Sequence, residues 1–236
     1  MKLFLGIILV YMLVKVKNFK TVLDLMENKN IKFVFLDLDN TLYSYLPCHK
    51  YALKKCYEEF KKLSHISYSS FDKLYKDSSK DVKKRLKKQA SSHSRLLYFQ
   101  RLFEVIYGKT DIENTLKFEE IYWQNFFKKI RVTQDAKFFL NQIKKKNIKI
   151  VLVTDLTARI QFEKLIYLQL NKLIDFVVSS EEIGVEKPDK KIFNLAIKKI
   201  GAIKKESIFI GDDVERDGAG GQNIGILTYI IKHETV

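Results

Sequence analysis

The spacing of apolar residues changes twice along the chain. Phe33 to Leu36 run without a polar break, and two aspartates one leucine apart come next in LDLDN. From Pro47 to about Ile130 the pattern is helical and uninterrupted by strand signals. Tyr51, Leu53, Cys56, Tyr57, Phe60 and Leu63 keep helical spacing, as do Phe71, Leu74 and Tyr75, then Leu96–Tyr107 and Leu116–Phe127. That period predicts amphipathic helices, separated by serine-rich breaks at 67–70, 78–79 and 91–94 and by Gly108. After Arg131 helix and strand signals alternate. The pattern predicts helices over Gln134–Lys146, Thr157–Leu170, Asp189–Ile200 and a last one through Asn223, with strands at Ile148–Val153, Phe176–Val178, Ser207–Ile210 and Ile226–Ile231. Near-continuous apolar strands alternating with helices indicate an α/β fold, a parallel sheet covered on both faces.

Composition changes this picture only at the edges. At 236 residues and 46% apolar content the chain can bury the core of one sizeable domain with an insertion. The formal charge of +15 attracts anionic partners, yet the lysines are scattered. The densest run, DVKKRLKK from Asp81 to Lys88, reads as a solvated helix face. With no zinc-finger spacing and no arginine-aromatic interleaving, no nucleic acid partner is expected. If Cys48 and Cys56 share one helix they stand on the order of 12 Å apart, too far for a disulfide, which fits a reducing, cytoplasmic compartment. Leu3–Val14 is wholly apolar but spans only roughly 18 Å as a helix, short of a bilayer core, and no cleavage site stands after it. Residues 1–30 are therefore expected to form an appendage not needed for chemistry, offering peripheral membrane contact through residues 3–14, with Met26 a natural beginning for the folded domain.

In a parallel sheet, sites form at the carboxyl ends of strands. Four stretches stand there or at the adjoining helix starts. They are Asp37-Leu38-Asp39-Asn40-Thr41, then Thr154-Asp155, then Glu186-Lys187-Pro188-Asp189, and Gly211-Asp212-Asp213 with Asp217 a turn later. Pro188 suits the first position of the helix after Lys187. Converging carboxylates need a cation, and all-oxygen ligation suits Mg²⁺, which recruits a substrate phosphate to complete its shell. Asp37 and Asp39, two apart, point the same way, so one can attack while the other moves protons. A hydroxyl and a lysine offset the charge of a transferring phosphoryl group.

FLDLDNTLY, LVTD, EKPDKKIF and GDDVERD, in this order, resemble the four motifs of the haloacid dehalogenase (HAD) superfamily in its phosphatase branch. The resemblance implies a Rossmann-like core over 31–45 and 131–236, an inserted all-helical cap over 46–130 that sets substrate choice, and Mg²⁺ as cofactor. It implies that Asp37 is the nucleophile, and that Asp39 is the general acid and then base with its carbonyl on the metal. Thr154 and Lys187 hold the phosphoryl group, joined at that end of the site by Asp155. Asp37, Asp39 and Asp212 form the metal set, with Asp213 and Asp217 behind it. The substrate so implied is a small phosphorylated metabolite, of the nucleotide or sugar phosphate class. An aspartate at position 39 sets phosphatases and phosphomutases apart from the superfamily's dehalogenases.

Some features depart from that pattern. Many relatives place Asn after the motif II hydroxyl, whereas Asp155 stands here; a carboxylate would repel a phosphate dianion, and capping of a helix starting near Thr157 is the structural alternative. Gly218-Ala219-Gly220-Gly221 is glycine-heavy for a helix start, which close backbone packing would require. The histidines 49, 65, 93 and 233 pair with no nucleophile in sequence, and Trp123 reads as core of the helical segment. Lys84, Arg85, Tyr98 and Arg101 are candidates to meet an anionic substrate, or else surface and packing residues. A phosphomutase and a catalytically idle membrane-associated scaffold are the alternatives to a phosphatase.

Overall fold

A computed structural model describes residues 13–16 and 18–231. Six parallel strands form one sheet: β1 (Leu13–Val16), β2 (Phe33–Leu36), β3 (Lys149–Thr154), β4 (Phe176–Ser179), β5 (Ser207–Gly211) and β6 (Leu227–Ile231), in the order β1-β6-β5-β2-β3-β4. The chain divides into two compact units, one of residues up to Ser44 and from Arg131 onward, the other Tyr45–Ile130.

In the first unit the strands are apolar on both sides because helices pack over them. Val34, Leu36, Ile150, Leu152, Ile208 and Ile210 are fully buried. Connecting segments carry α6 (Gln134–Lys145), α7 (Ala158–Tyr167), the single turn α8 (Ser180–Ile183), α9 (Lys190–Ile200) and α10 (Ala219–Asn223), with a π turn at Val214–Gly218. In sheet order the chain moves from β2 to β3 and β4 on one side, then returns to β5 and β6 on the other. The reversal leaves a crevice at the carboxyl ends of β2 and β5, where open α/β sheets bind ligands. Register aligns them: Leu36 pairs with Leu152 on one side and Ile210 on the other.

The N-terminal residues do not behave as an appendage. β1 pairs in parallel with β6, Leu13 opposite Thr228 and Val16 opposite Ile231. α1 (Phe19–Met26), capped by Asn18, buries Phe19 and Val22 completely, and Phe19 packs on Phe139 of α6 at 4.9 Å between ring centroids. Leu13 and Val14, the end of the apolar run read as a membrane contact, are strand residues; its earlier residues lie outside those described. No helix among the described residues is long and apolar enough to cross a membrane.

The second unit is all helix: α2 (Tyr45–Phe60), α3 (Tyr68–Leu86), α4 (Arg95–Tyr107) and α5 (Ile112–Lys129), with a short 3₁₀ turn before α4. α2 packs along α5, and α4 along both α3 and α5. The core is aromatic. Phe60 meets Phe71 at 4.9 Å and Phe103 meets Phe118 edge-on at 5.1 Å, geometries that ring quadrupoles favour. Cys48 and Cys56 are both free and buried in α2.

Candidate active site

Asp37 stands one residue past β2, its N–H donating to the Ile210 carbonyl at 2.9 Å. Asn40 then takes a left-handed conformation, φ +62°, which asparagine tolerates better than most residues. The turn folds Thr41 back, and its hydroxyl donates to Asp37 Oδ2 at 3.0 Å while lying 3.3 Å from Asp212 Oδ1. Lys187 Nζ donates to Asp37 Oδ1 at 2.5 Å and to Asp217 Oδ1 at 2.7 Å. Asp217 Oδ2 accepts the backbone N–H groups of Asp212 and Asp213. Gly211 is required where β5 ends, because a Cβ there would lie 2.1 Å from Asp217 Oδ2.

Carboxylate oxygens of Asp37, Asp212 and Asp217 lie within 4.8 Å of one another. Burial pushes the Asp37 carboxyl above its ordinary range; Lys187 opposes this, and Asp217 and Asp39 add to it. Asp212 is pushed up to about 6, by burial first and then by Asp37. Burial would lower Lys187, but Asp217 and Asp37 hold it well above an ordinary lysine, so it stays cationic. With all three carboxylates ionised, their charge against one ammonium leaves two negative charges, around the half-buried Asp212 and the buried Asp37 and Asp217. A divalent, oxygen-seeking cation matches both that charge and that donor set, so the residues fit Mg²⁺. The carboxylate triad adds Asp217 to the expected Asp37 and Asp212. Asp39 was expected to meet the metal through its backbone carbonyl, which leaves its side chain for other partners.

Asp39 is captured elsewhere. Lys164 Nζ donates to both of its oxygens, at 2.6 and 2.8 Å, Gln161 Nε2 donates to Oδ2 at 3.1 Å, and the Tyr43 hydroxyl donates to Oδ1. Burial would raise the Asp39 carboxyl, but Lys164 and these hydrogen bonds together hold it below its ordinary value. Gln161 Nε2 also reaches the Thr154 hydroxyl at 2.7 Å and the Asp155 carbonyl at 2.6 Å. It thereby ties the end of β3 to Asp39.

Three further expectations change. Asp155 does not cap α7: the Ala158 N–H donates to Glu181 Oε2 at 2.8 Å, while Asp155 Oδ1 accepts the Lys187 N–H at 3.0 Å and Oδ2 faces Arg216 at 3.5 Å. The side chain therefore positions the Lys187 backbone. Asp213 turns away from the cluster, its Oδ1 capping the π turn through the N–H groups of Glu215 and Arg216. Asp189 rather than Pro188 begins the next helix, as the N-cap of α9 accepting the Lys191 N–H.

Sequence reading missed Lys164, Gln161 and Tyr43. Gln161 and Lys164 are fully or almost fully buried, on the same face of α7 as Ile160 and Leu165. Polar residues at apolar helix positions were the available signal.

The family model described as haloacid dehalogenase-like hydrolase matches residues 34–231. This chain belongs to that family. The HAD-like chain is 33% identical over 198 residues to ribulose-1,5-bisphosphate 5-phosphatase of Halopiger xanaduensis, covering 84% of this chain and 83% of that protein. It is 29% identical to glyceraldehyde 3-phosphate phosphatase of Methanopyrus kandleri, covering 86% and 84%. In fold it resembles the HAD phosphatase of Thermococcus onnurineus, with a TM-score of 0.67 over 87% of this chain and 88% of that one at 21% identity. Motifs and relatives together put this HAD-like chain in the phosphatase branch.

Proposed function

We propose that this phosphoric monoester hydrolase acts on a small sugar phosphate, with Mg²⁺ as cofactor and Asp37 as the residue that carries the phosphoryl group. One observation supports this above the others: Asp37 is pinned by Lys187 and Thr41 beside Asp212 and Asp217 at the sheet's reversal point. The names of the relatives support the sugar phosphate class. By the same resemblance, the Tyr45–Ile130 unit is the inserted cap that decides which esters are accepted.

Asp37, Asp212 and Asp217 would hold the metal. When bound it supplies charge neutralisation at the phosphoryl oxygens and at the aspartate cluster. Asp37 Oδ attacks phosphorus, a P–O bond to the carboxylate forms, and the ester P–O bond to the alcohol breaks. Lys187, fixed as a cation, offsets charge on the phosphoryl oxygens, and the Thr154 hydroxyl at the end of β3 donates to them. Water then attacks the aspartyl-phosphate, releasing phosphate and restoring Asp37. Asp39 delivers a proton to the leaving alcohol as that bond breaks, and the carboxylate so formed, paired with Lys164, takes a proton from the attacking water, which closes the cycle.

The test is phosphate release by the full-length chain from a panel of sugar phosphates and nucleotides, in Mg²⁺ and in EDTA, beside Asp37→Asn. The expected result is Mg²⁺-dependent release favouring a sugar phosphate, lost in Asp37→Asn, with a hydroxylamine-sensitive phosphoryl adduct in wild type. Undiminished release by Asp37→Asn would overturn the assignment of the nucleophile.

A further inference from the structure

The helical unit buries a cation without an anion. Arg95, the first residue of α4, is 8% exposed. Its terminal N–H groups donate to the His93 carbonyl and the Tyr45 hydroxyl oxygen, and the side chains acting most strongly on its charge are all tyrosines. Rings of Tyr45, Tyr98, Tyr122 and Trp123 surround the guanidinium at 5.3–5.7 Å. Aromatic faces attract a cation, which explains how the charge survives folding. They leave its Nε–H unmatched, and the hydroxyl of Tyr75, itself 3% exposed and packed edge-on to Tyr98, is unmatched as well. Buried donors normally find acceptors. Two idle donors in one cluster point to an acceptor that comes from outside.

A chain of hydrogen-bonded side chains links this cluster to a cavity. Tyr45 Oη lies 3.2 Å from Tyr122 Oη, which lies 2.8 Å from His49 Nδ1. His49 lines a cavity of about 710 Å³ between α2 and α3, with Leu53, Tyr57 and Tyr68 as apolar and aromatic lining and Lys50 and Lys54 among its cations. The two acids in the lining are already taken, Asp72 by Lys76 at 2.5 Å and Glu58 by Lys55 at 2.7 Å. Lys50 and Lys54 are exposed, and Lys54 lies close enough to Glu58 to lower that carboxyl. The cavity is therefore of ligand size, lined by four lysines against two acids, and backed through His49 by a buried guanidinium.

We infer that this cavity in the helical unit is a binding site for the phosphate group of a small metabolite. The molecule's body rests on Leu53, Tyr57 and Tyr68, Lys50 and Lys54 draw in its phosphate, and displacement of the His49–Tyr122 hydrogen bond opens the way to Arg95 and Tyr75. The phosphate has two sources, a second phosphate carried by the substrate or a separate metabolite.

Trp123, the only tryptophan of the chain, lies 5.3 Å from Arg95, so its fluorescence reports on the site without turnover. The full-length Asp37→Asn chain is titrated with glycerol 3-phosphate in EDTA, with glycerol and NaCl as controls. The expected result is a saturable fluorescence change with the phosphate ester only, with affinity at least tenfold weaker in Arg95→Gln and in the surface variant Lys50→Glu/Lys54→Glu. No saturable change, or equal affinity in the surface variant, overturns the site, and the surface variant decides should Arg95→Gln not fold. Steady-state kinetics on the catalytically intact chain then separate the sources. A tenfold rise in KM for a bisphosphate, with KM for a monophosphate unchanged in Arg95→Gln, assigns the site to the substrate's second phosphate. Binding alongside substrate, with an altered kcat, assigns it to a separate metabolite. Either upholds the site, and neither fluorescence outcome depends on whether Asp37 is the nucleophile.

Discussion

Lys164 is 1% exposed and pairs with Asp39 at 2.6 Å. Replacing it with methionine fills the space and leaves Asp39 with Tyr43 and Gln161 alone. Because general acid–base steps contribute on the order of 10²–10⁴-fold, Lys164→Met is expected to lower kcat by at least about tenfold while KM changes less. Phosphate-release kinetics check this, and an unchanged kcat would remove Lys164 from the reaction. His49 gives a second prediction. Burial, and then Arg95, hold its folded pKa down to about 4 against an ordinary 6.5. The unfolded chain thus binds the proton that the folded chain refuses, so this contribution to stability is complete above pH 6.5 and is lost as pH falls toward 4. At the steepest it changes by about 1.4 kcal/mol per pH unit. The difference in urea stability between wild type and His49→Gln should track that slope between pH 6.5 and 5, and a flat difference would contradict it. That Asp37, Asp39, Thr154, Lys187, Asp212 and Asp217 would gather at one end of the sheet was legible, because each stands after a strand or opens a loop at a position the parallel sheet dictates. The place of Lys164 and Gln161 there was not, since a helix face becomes a site wall only once its strand neighbours are in place.

Among the secondary-structure elements, β1 and α1 were the ones misread. They fall in the stretch read as an appendage, but β1 completes the sheet edge beside β6 and α1 buries Phe19 against α6. Phe19→Ala should cost about 3–5 kcal/mol, read as a lowered urea midpoint. A chain starting at Met26 should lose cooperative unfolding, because the edge of β6 and the surface around Phe139 become exposed. A truncated chain as stable as the full one would show that β1 and α1 add nothing. α10 shows the opposite case, where the sequence signal was read correctly. A Cβ at Gly220 would lie 2.1 Å from the Phe193 ring and one at Gly221 would lie 2.0 Å from Thr228 Oγ1. The glycine run is what lets this helix approach α9 and β6. Gly221→Ala is expected to destabilise by roughly 1–3 kcal/mol.

For the molecule as a whole, two negative charges remain unmatched among Asp37, Asp212, Asp217 and Lys187 when all three carboxylates are ionised. A ligand that binds only the folded state stabilises it, by about 2.7 kcal/mol at a hundredfold excess over its Kd. Mg²⁺ should therefore raise the Tm of wild type, and EDTA should reverse the shift. Asp212→Asn should abolish it while raising the Tm measured in EDTA, since one source of repulsion is gone. An equal Mg²⁺ shift in both proteins would place the ion elsewhere. The helical unit carries its own aromatic core and its own buried arginine, so changes at Arg95 should leave the Mg²⁺ shift intact.

Alternating apolar runs and helical spacing were enough, read along the chain, to establish the parallel sheet, the helical insertion and the order of the acidic motifs. Each of these depends on neighbours within a few residues and on the strand-end rule. Which carboxylate joins which partner is another matter. The Asp217 carboxylate joins Asp37 and Asp212, the Asp39 carboxylate pairs with Lys164, 125 residues beyond it, and Asp155 anchors Lys187 because β3 and the Lys187 loop meet across the sheet's end. Contacts of that separation leave no local period in the sequence, and only folding brings such charges close enough to choose between them.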